Sequence, residues 1–138
     1  MTKFSIFAAA VLLATPVLAE SHATSEMELT VSGDAAEGET AFGRKCAACH
    51  VVMNPEGEIL AGKKSKTGPN LYGIAMRPLA TVEDFRYGDG IVAAGEAGNV
   101  WTEENFVAYV QDPTKWLRET LDDSKARSKM TLKIRKEE

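Results

Sequence analysis

The apolar positions of this chain fall into three regimes. Behind the cationic start Met1-Thr2-Lys3, residues 4 to 18 form one apolar run broken only by Ser5, Thr15 and Pro16. Val17-Leu18-Ala19 then offers one cleavage site, and Ser21-His22-Ala23 a second. This is the pattern of a secretory signal peptide (1–19), cut after Ala19 or Ala23. The run is short for an anchor, so no stable membrane insertion is expected. Glu20 to Ser32 is polar without a period and reads as a flexible mature N-terminus. From residue 33 onward, helical spacing alternates with turn signals. Asp34-Ala35-Ala36-Glu37 has the spacing of a capping box, and predicts a helix running through Gly38, Ala41, Phe42 and Lys45. Thr102, followed by Glu103 and Glu104, predicts a second helix to about Val110. Asp112-Pro113 opens a third, carrying Trp116, Leu117 and Leu121. Val51 to Asn70 reads as loop, as does the glycine-rich stretch from Gly88 to Gly98. No alternation is long enough to predict a strand. The expectation is an all-α domain over 33–138, with three to four helices and long loops. So much loop in a small domain suggests a large flat cofactor around which loops wrap.

Charge narrows the partners. The net charge of −4 makes nucleic acid an unsuitable one. Between Pro113 and Lys136 stand Lys115, Arg118, Lys125, Arg127, Lys129, Lys133, Arg135 and Lys136, against Glu119, Asp122 and Asp123 alone. Acids crowd instead into Glu20–Glu39 and Glu83–Glu104. Such a molecule has a basic side and an acidic side.

The candidate chemistry lies in one word, Cys46-Ala47-Ala48-Cys49-His50, which holds both cysteines of the chain. Thiols at i and i+3 share one face of a helical turn and can reach the two vinyl groups of one porphyrin, with the next histidine binding iron. A thioredoxin-like pair is expected near a strand–helix unit instead, and a zinc site needs four ligands. The only other histidine is His22, in the loose N-terminus. The second axial ligand is therefore Met, Lys, Tyr, water or nothing. Met27 lies in the loose tail and Met53 is too near His50 in sequence. Of Met76 and Met130, Met130 is preferred: Ser124 to Thr131 is too polar to bury a methionine for packing alone, whereas a soft thioether binds iron well.

The wider sequence resembles a small soluble class I cytochrome c, of the periplasmic type from photosynthetic and denitrifying bacteria that is related to mitochondrial cytochrome c. The resemblance rests on Gly33-Asp34, Gly38, Phe42, the haem motif, Lys66-Thr67-Gly68-Pro69-Asn70-Leu71, Trp101, Tyr109, Asp112-Pro113-Thr114-Lys115 and Ser128-Lys129-Met130-Thr131. It implies the cytochrome c fold around one covalent haem c, attached at Cys46 and Cys49. It makes His50 the proximal ligand, donating its free ring N–H to the Pro69 carbonyl, and Met130 the distal ligand. Trp101 and Tyr87 would donate to a haem propionate, Arg77 would offset its charge, and Tyr109 would lie beside the methionine sulfur. Lys45, Lys63, Lys64, Lys115, Lys129 and Lys133 would ring the haem edge. The implied function is a monomeric one-electron carrier without substrate turnover. A quinol:cytochrome c oxidoreductase would be its donor, and a terminal oxidase, reaction centre or periplasmic reductase its acceptor. In the family a C-terminal helix follows the region matching Leu132 to Lys136 and packs on the first helix. Here the chain stops at Glu138, so Gly38, Ala41 and Phe42 are expected to lack that partner. The alternatives are an open-site haem protein with peroxidase-like or gas-binding activity, or a truncated remnant.

Overall fold

The computed structural model describes residues 31–135. The signal peptide with its two cleavage sites, His22 and Met27 lie outside those residues, as do Lys136 to Glu138. The elements are α1 (Ala35–Lys45), β1 (Val51–Met53), β2 (Ile59–Gly62), α2 (Asp89–Glu96), α3 (Glu103–Gln111) and α4 (Pro113–Thr120).

The helix starts follow the capping residues. The Asp34 carboxylate accepts the N–H groups of Ala36 and Glu37, both at 2.9 Å, and so satisfies donors that the first turn leaves free. Thr102 does the same for Asn105 at 3.1 Å, and Asp112 for Lys115 at 3.0 Å, with Pro113 at the first position of α4. Ser32 is anchored rather than loose: its N–H donates to Glu103 Oε2 at 2.9 Å and its hydroxyl to Oε1 of the same carboxylate.

Two stretches differ from expectation. Within Val51–Asn70, β1 and β2 pair antiparallel, with Val51 opposite Gly62, Val52 opposite Ala61 and Met53 opposite Ile59 across a bulge. Strands of three and four residues are too short to display a period of two, so the hairpin was invisible in the hydrophobic pattern. The Gly88–Gly98 stretch contains helix α2. Its glycines serve close packing rather than irregularity: a Cβ at Gly95 would stand 2.5 Å from the Leu79 carbonyl oxygen, and one at Gly90 2.8 Å from that of Arg127.

The core lies where α4 packs on α2 and α3. It comprises Leu79, Ile91, Ala94, Tyr109, Trp116, Leu117 and Ala126. Trp101 stacks on Trp116 at 6.3 Å, and Tyr109 stands edge-on to both, at 5.1 and 5.6 Å. Such offset and edge contacts are the arrangements that aromatic quadrupoles favour. Helix α1 lies apart from this core. Among the described residues it packs on β2, buries none of its own side chains, and has nothing within 4 Å of the position a Cβ would take at Gly38.

Helices α2 and α4 end in the same way with different residues. In α2, the Asn99 N–H reaches back to the Ala94 carbonyl at 3.2 Å and that of Gly98 to Gly95 at 2.9 Å, with Gly98 at φ 86°. In α4, Asp123 bonds to Arg118 at 3.1 Å and Asp122 to Glu119 at 3.4 Å, with Asp122 at φ 48°. This turn wants glycine, and a carboxylate there also faces the negative end of the helix dipole. Replacing Asp122→Gly should therefore stabilise the protein by about 1 kcal/mol. A thermal melt that stays put or falls would contradict this reading of the α4 terminus.

Asp112 also fastens the end of the described chain. Its Oδ2 accepts from Lys133 Nζ at 2.6 Å, and nearby the Ile134 N–H donates to the Val110 carbonyl at 2.8 Å. The Lys133 bond, followed by the Lys115 N–H, holds the Asp112 carboxyl below its usual value of 3.8. A depressed carboxyl contributes stability above its unfolded pKa, and that contribution is lost as pH falls through the folded one. The Asp112→Asn variant should lose stability at neutral pH and show a shallower decline below about pH 4 than the parent. Parallel acid limbs in urea titrations of the two proteins would refute the assignment.

Candidate haem site

Helix α1 delivers the cysteine word. Cys46 caps the helix with its N–H on the Phe42 carbonyl, and the chain then makes one more turn. In that turn Cys49 N–H and His50 N–H both donate to the Cys46 carbonyl, at 3.0 and 2.9 Å. The turn brings both thiols, neither in a disulfide, onto one stretch of surface, with Cys46 half-buried and Cys49 exposed. Burial, and then the neighbouring Cys49, pushes the Cys46 thiol pKa up.

His50 is clamped by a second segment. Gly68 N–H donates to the Cys49 carbonyl at 2.8 Å, which lays residues 68–70 along the haem motif. His50 Nδ1 then lies 3.0 Å from the Pro69 carbonyl oxygen. A carbonyl only accepts, so in the neutral ring the proton sits on Nδ1 and Nε2 keeps its lone pair, the tautomer that a metal requires. Gly68 makes room for this: a Cβ there would stand 2.5 Å from His50 Cε1 and 2.6 Å from Nδ1. Asn70 extends the clamp, with Oδ1 accepting from Met53 N–H at 3.0 Å and Nδ2 donating to the Met53 carbonyl at 2.7 Å. Gly68 and Asn70 stand in the sequence as a plain turn signal. Their roles as clearance and zipper depend on partners 18 and 17 residues away and have no local signature.

The remaining predicted site residues occupy two further regions. Arg77 donates to the carbonyls of Tyr72 and Asn70, at 2.9 and 3.1 Å, so its guanidinium braces the loop behind His50. It is joined to Trp101, whose N–H donates to the Arg77 carbonyl at 2.9 Å. Tyr87 packs on the edge of the core, and its hydroxyl accepts from Val82 N–H at 3.4 Å; burial raises its pKa. Met130 is half-buried against the core while its neighbours Lys129 and Thr131 are exposed. The Met130 N–H donates to Ser128 Oγ at 3.0 Å, and that hydroxyl shares a 2.9 Å hydrogen bond with Tyr109. Burial raises the Tyr109 pKa, against the smaller opposite effect of Ser128. Ser128 was not singled out from the sequence. Met76 donates its N–H to the Trp101 carbonyl at 2.9 Å and sits at φ 59°.

Among the described residues, no group of three or more His, Cys, Asp or Glu side chains is placed to hold a bare metal ion. The donor set instead suits a group that brings its own equatorial nitrogens and is tethered by two thiols. Helices joined by long loops, with a Cys-x-x-Cys-His turn and a histidine whose Nε2 is free, define a class I c-type cytochrome. Such a protein carries one covalently bound haem c. No protein-family model matches the chain. It is 58% identical over 108 residues to cytochrome c2 of Rhodovulum adriaticum, covering 78% of this chain and 85% of that one. It is 46% identical to cytochrome c-550 of Paracoccus versutus over 138 residues, 97% of this chain and 81% of the other. The structure of cytochrome c2 from Rhodobacter sphaeroides superposes with a TM-score of 0.73 at 50% identity, covering 75% of this chain and 85% of that one. Cytochrome c2 from Rhodobacter capsulatus gives 0.72 at 46% identity, over 76% and 89%. The chain belongs to the bacterial cytochrome c2 and c-550 family, and is a haem electron carrier.

The Gly68 clearance yields a direct expectation. Gly68→Ala should push the imidazole off the Pro69 carbonyl and destabilise the haem-loaded protein by about 1–3 kcal/mol. A melt and an absorption spectrum unchanged from the parent would mean that the ring has room to spare.

Proposed function

We propose that this chain is a periplasmic one-electron carrier whose iron is held by His50 Nε2 on one side and by the Met130 thioether on the other. The observation that carries the reading is the half-burial of Met130 against the core, in a segment whose flanking residues face solvent. Thioether ligation favours the reduced state and raises the potential. The chain's own residues hold both axial groups in fixed positions, so little rearranges between oxidation states. Pro69 keeps the His50 ring oriented and more basic. Ser128, steadied by Tyr109, holds the Met130 backbone. Trp101, Tyr87 and Arg77 would form the propionate environment, a role supported by the backbone bonds that link Arg77 to Trp101.

The donor would be a quinol:cytochrome c oxidoreductase, and the acceptor a terminal oxidase, a reaction centre or a periplasmic reductase. The protein would work as a monomer, exported by the leader cut after Ala19 or Ala23. Among the described residues no helix is long and apolar enough to cross a membrane. Lys45, Lys63, Lys64 and Lys115 are exposed and would steer docking. The Lys115–Glu119 pair at 3.7 Å is too exposed to neutralise Lys115 appreciably. Lys129 and Lys133 are less suited to this role, because each is committed to oxygen acceptors of its own chain.

The ferric haem protein should be low-spin and show the weak deep-red band of thioether-bound iron. Met130→Ala should abolish that band and lower the potential. A high-spin parent spectrum without the band would favour the open-site reading, with peroxidase-like or gas-binding activity.

A further inference from the structure

Met76 stands where the backbone calls for glycine. The Arg77 N–H donates to the Ile74 carbonyl at 3.0 Å, closing a turn whose third residue, Met76, has φ 59°. The Met76 N–H donates to the Trp101 carbonyl and the Trp101 N–H to the Arg77 carbonyl, both at 2.9 Å. Met76 and Arg77 together thus face Trp101 alone, in an antiparallel contact that Pro78 and Val100 continue. A turn and a bulge of this kind both favour glycine at the left-handed position. A bulky side chain there is an outlier that costs free energy.

Among the described residues three other non-glycines have positive φ, and each has a local reason. Asp84 and Asp122 belong to a residue type that tolerates this conformation. Ala80 packs against the core. Met76 is half-buried but is not among the side chains packed on that core. Its strain is therefore not offset by core packing. What distinguishes the position is its company. Met76 is bonded through its backbone to Trp101 and precedes Arg77, the two residues that would frame the propionate environment. The Arg77 guanidinium is already turned toward the carbonyls of Asn70 and Tyr72, which leaves the turn itself to be covered by Met76.

We propose that Met76 is a potential-setting residue: its thioether side chain covers the turn shared by Arg77 and Trp101 and keeps water from the propionate side of the haem. This inference rests on the assignment of Arg77 and Trp101 to the propionates. A methionine fills an irregular gap well, being unbranched and flexible. An apolar cover lowers the local dielectric, and water favours the more highly charged ferric state. Exclusion of water therefore raises the potential. The backbone strain is the cost of placing a long apolar side chain where glycine would leave the turn open.

The test uses the full haem-loaded protein, with the potential measured by equilibrium titration against a redox mediator and stability by thermal melt. Met76→Ala keeps the strained backbone and deletes the cover, whereas Met76→Gly removes both. In each, the equilibrium constant for reduction should fall about two- to fivefold, as expected for a half-exposed apolar cover. The Met76→Gly melt should lie above that of Met76→Ala. Met76→Leu, similar in volume and equally apolar, should keep the parent potential. The deep-red band should persist in all three, showing that the axial thioether stays bound. Potentials unchanged in Met76→Ala and Met76→Gly would overturn the inference and leave Met76 a strained filler. A fall accompanied by loss of the deep-red band would also overturn it, by placing the effect at the axial ligand. Arg77→Gln should lower the potential by uncovering propionate charge; an unchanged value there would overturn the propionate assignment itself, and this inference with it.

Discussion

The hydrogen bond between His50 Nδ1 and the Pro69 carbonyl is the contact on which the site turns. A histidine following two cysteines can adopt either neutral tautomer and many ring orientations. One acceptor at 3.0 Å selects the form with Nε2 free. That acceptor is in place because Gly68 bonds back to Cys49 and Asn70 zips onto Met53. It can approach so closely because Gly68 has no side chain. The hairpin of β1 and β2 adds the third wall, since Val51 and Met53 bond to residues 70 and 71 on one side and pair with β2 on the other. The short sheet matters less as secondary structure than as a brace for a ring.

The opposite side of the molecule is built on another economy. Its loops, and the one behind His50, are ordered by side chains that bond to backbone five or more residues away. Arg77 holds Asn70 and Tyr72, Asn105 holds Val100, Arg118 holds Ala126, and Lys129 holds Arg86 and Tyr87. Such bonds fix a chain that has no ladder or helix of its own, and they leave the buried apolar surface concentrated in a few aromatics and aliphatics around Leu117. Met130 emerges where these two kinds of order meet, packed on the aromatic core and tied by Ser128 to Tyr109.

What the sequence revealed follows from the range over which each signal acts. Asp34, Thr102 and Asp112 act on N–H groups two or three residues away, and their helices start where expected. The Cys46–His50 word is equally local, and its chemistry was readable at once. Helix α2 was missed because Gly88, Gly90 and Gly95 look like flexibility in a list of residues. In the fold, two of them make room for the carbonyls of Arg127 and Leu79, at close range but far along the chain. Ser128 was seen only within the motif around Met130, and Lys129 only there and as one cation of the haem-edge ring. Their roles need Tyr109 and the Arg86–Tyr87 turn, which no spacing rule brings together. The lysines read as one ring divide on inspection into exposed cations and two that are committed within the chain.

The claim that residues 68–70 select the metal-binding tautomer of His50 is tested most directly by nitrogen-15 NMR of the histidine ring in the haem-loaded protein. A proton on Nδ1 that exchanges slowly with solvent and couples across a hydrogen bond to the Pro69 carbonyl is the predicted result. An Nδ1 proton that exchanges freely, with no coupling to Pro69, would contradict the account.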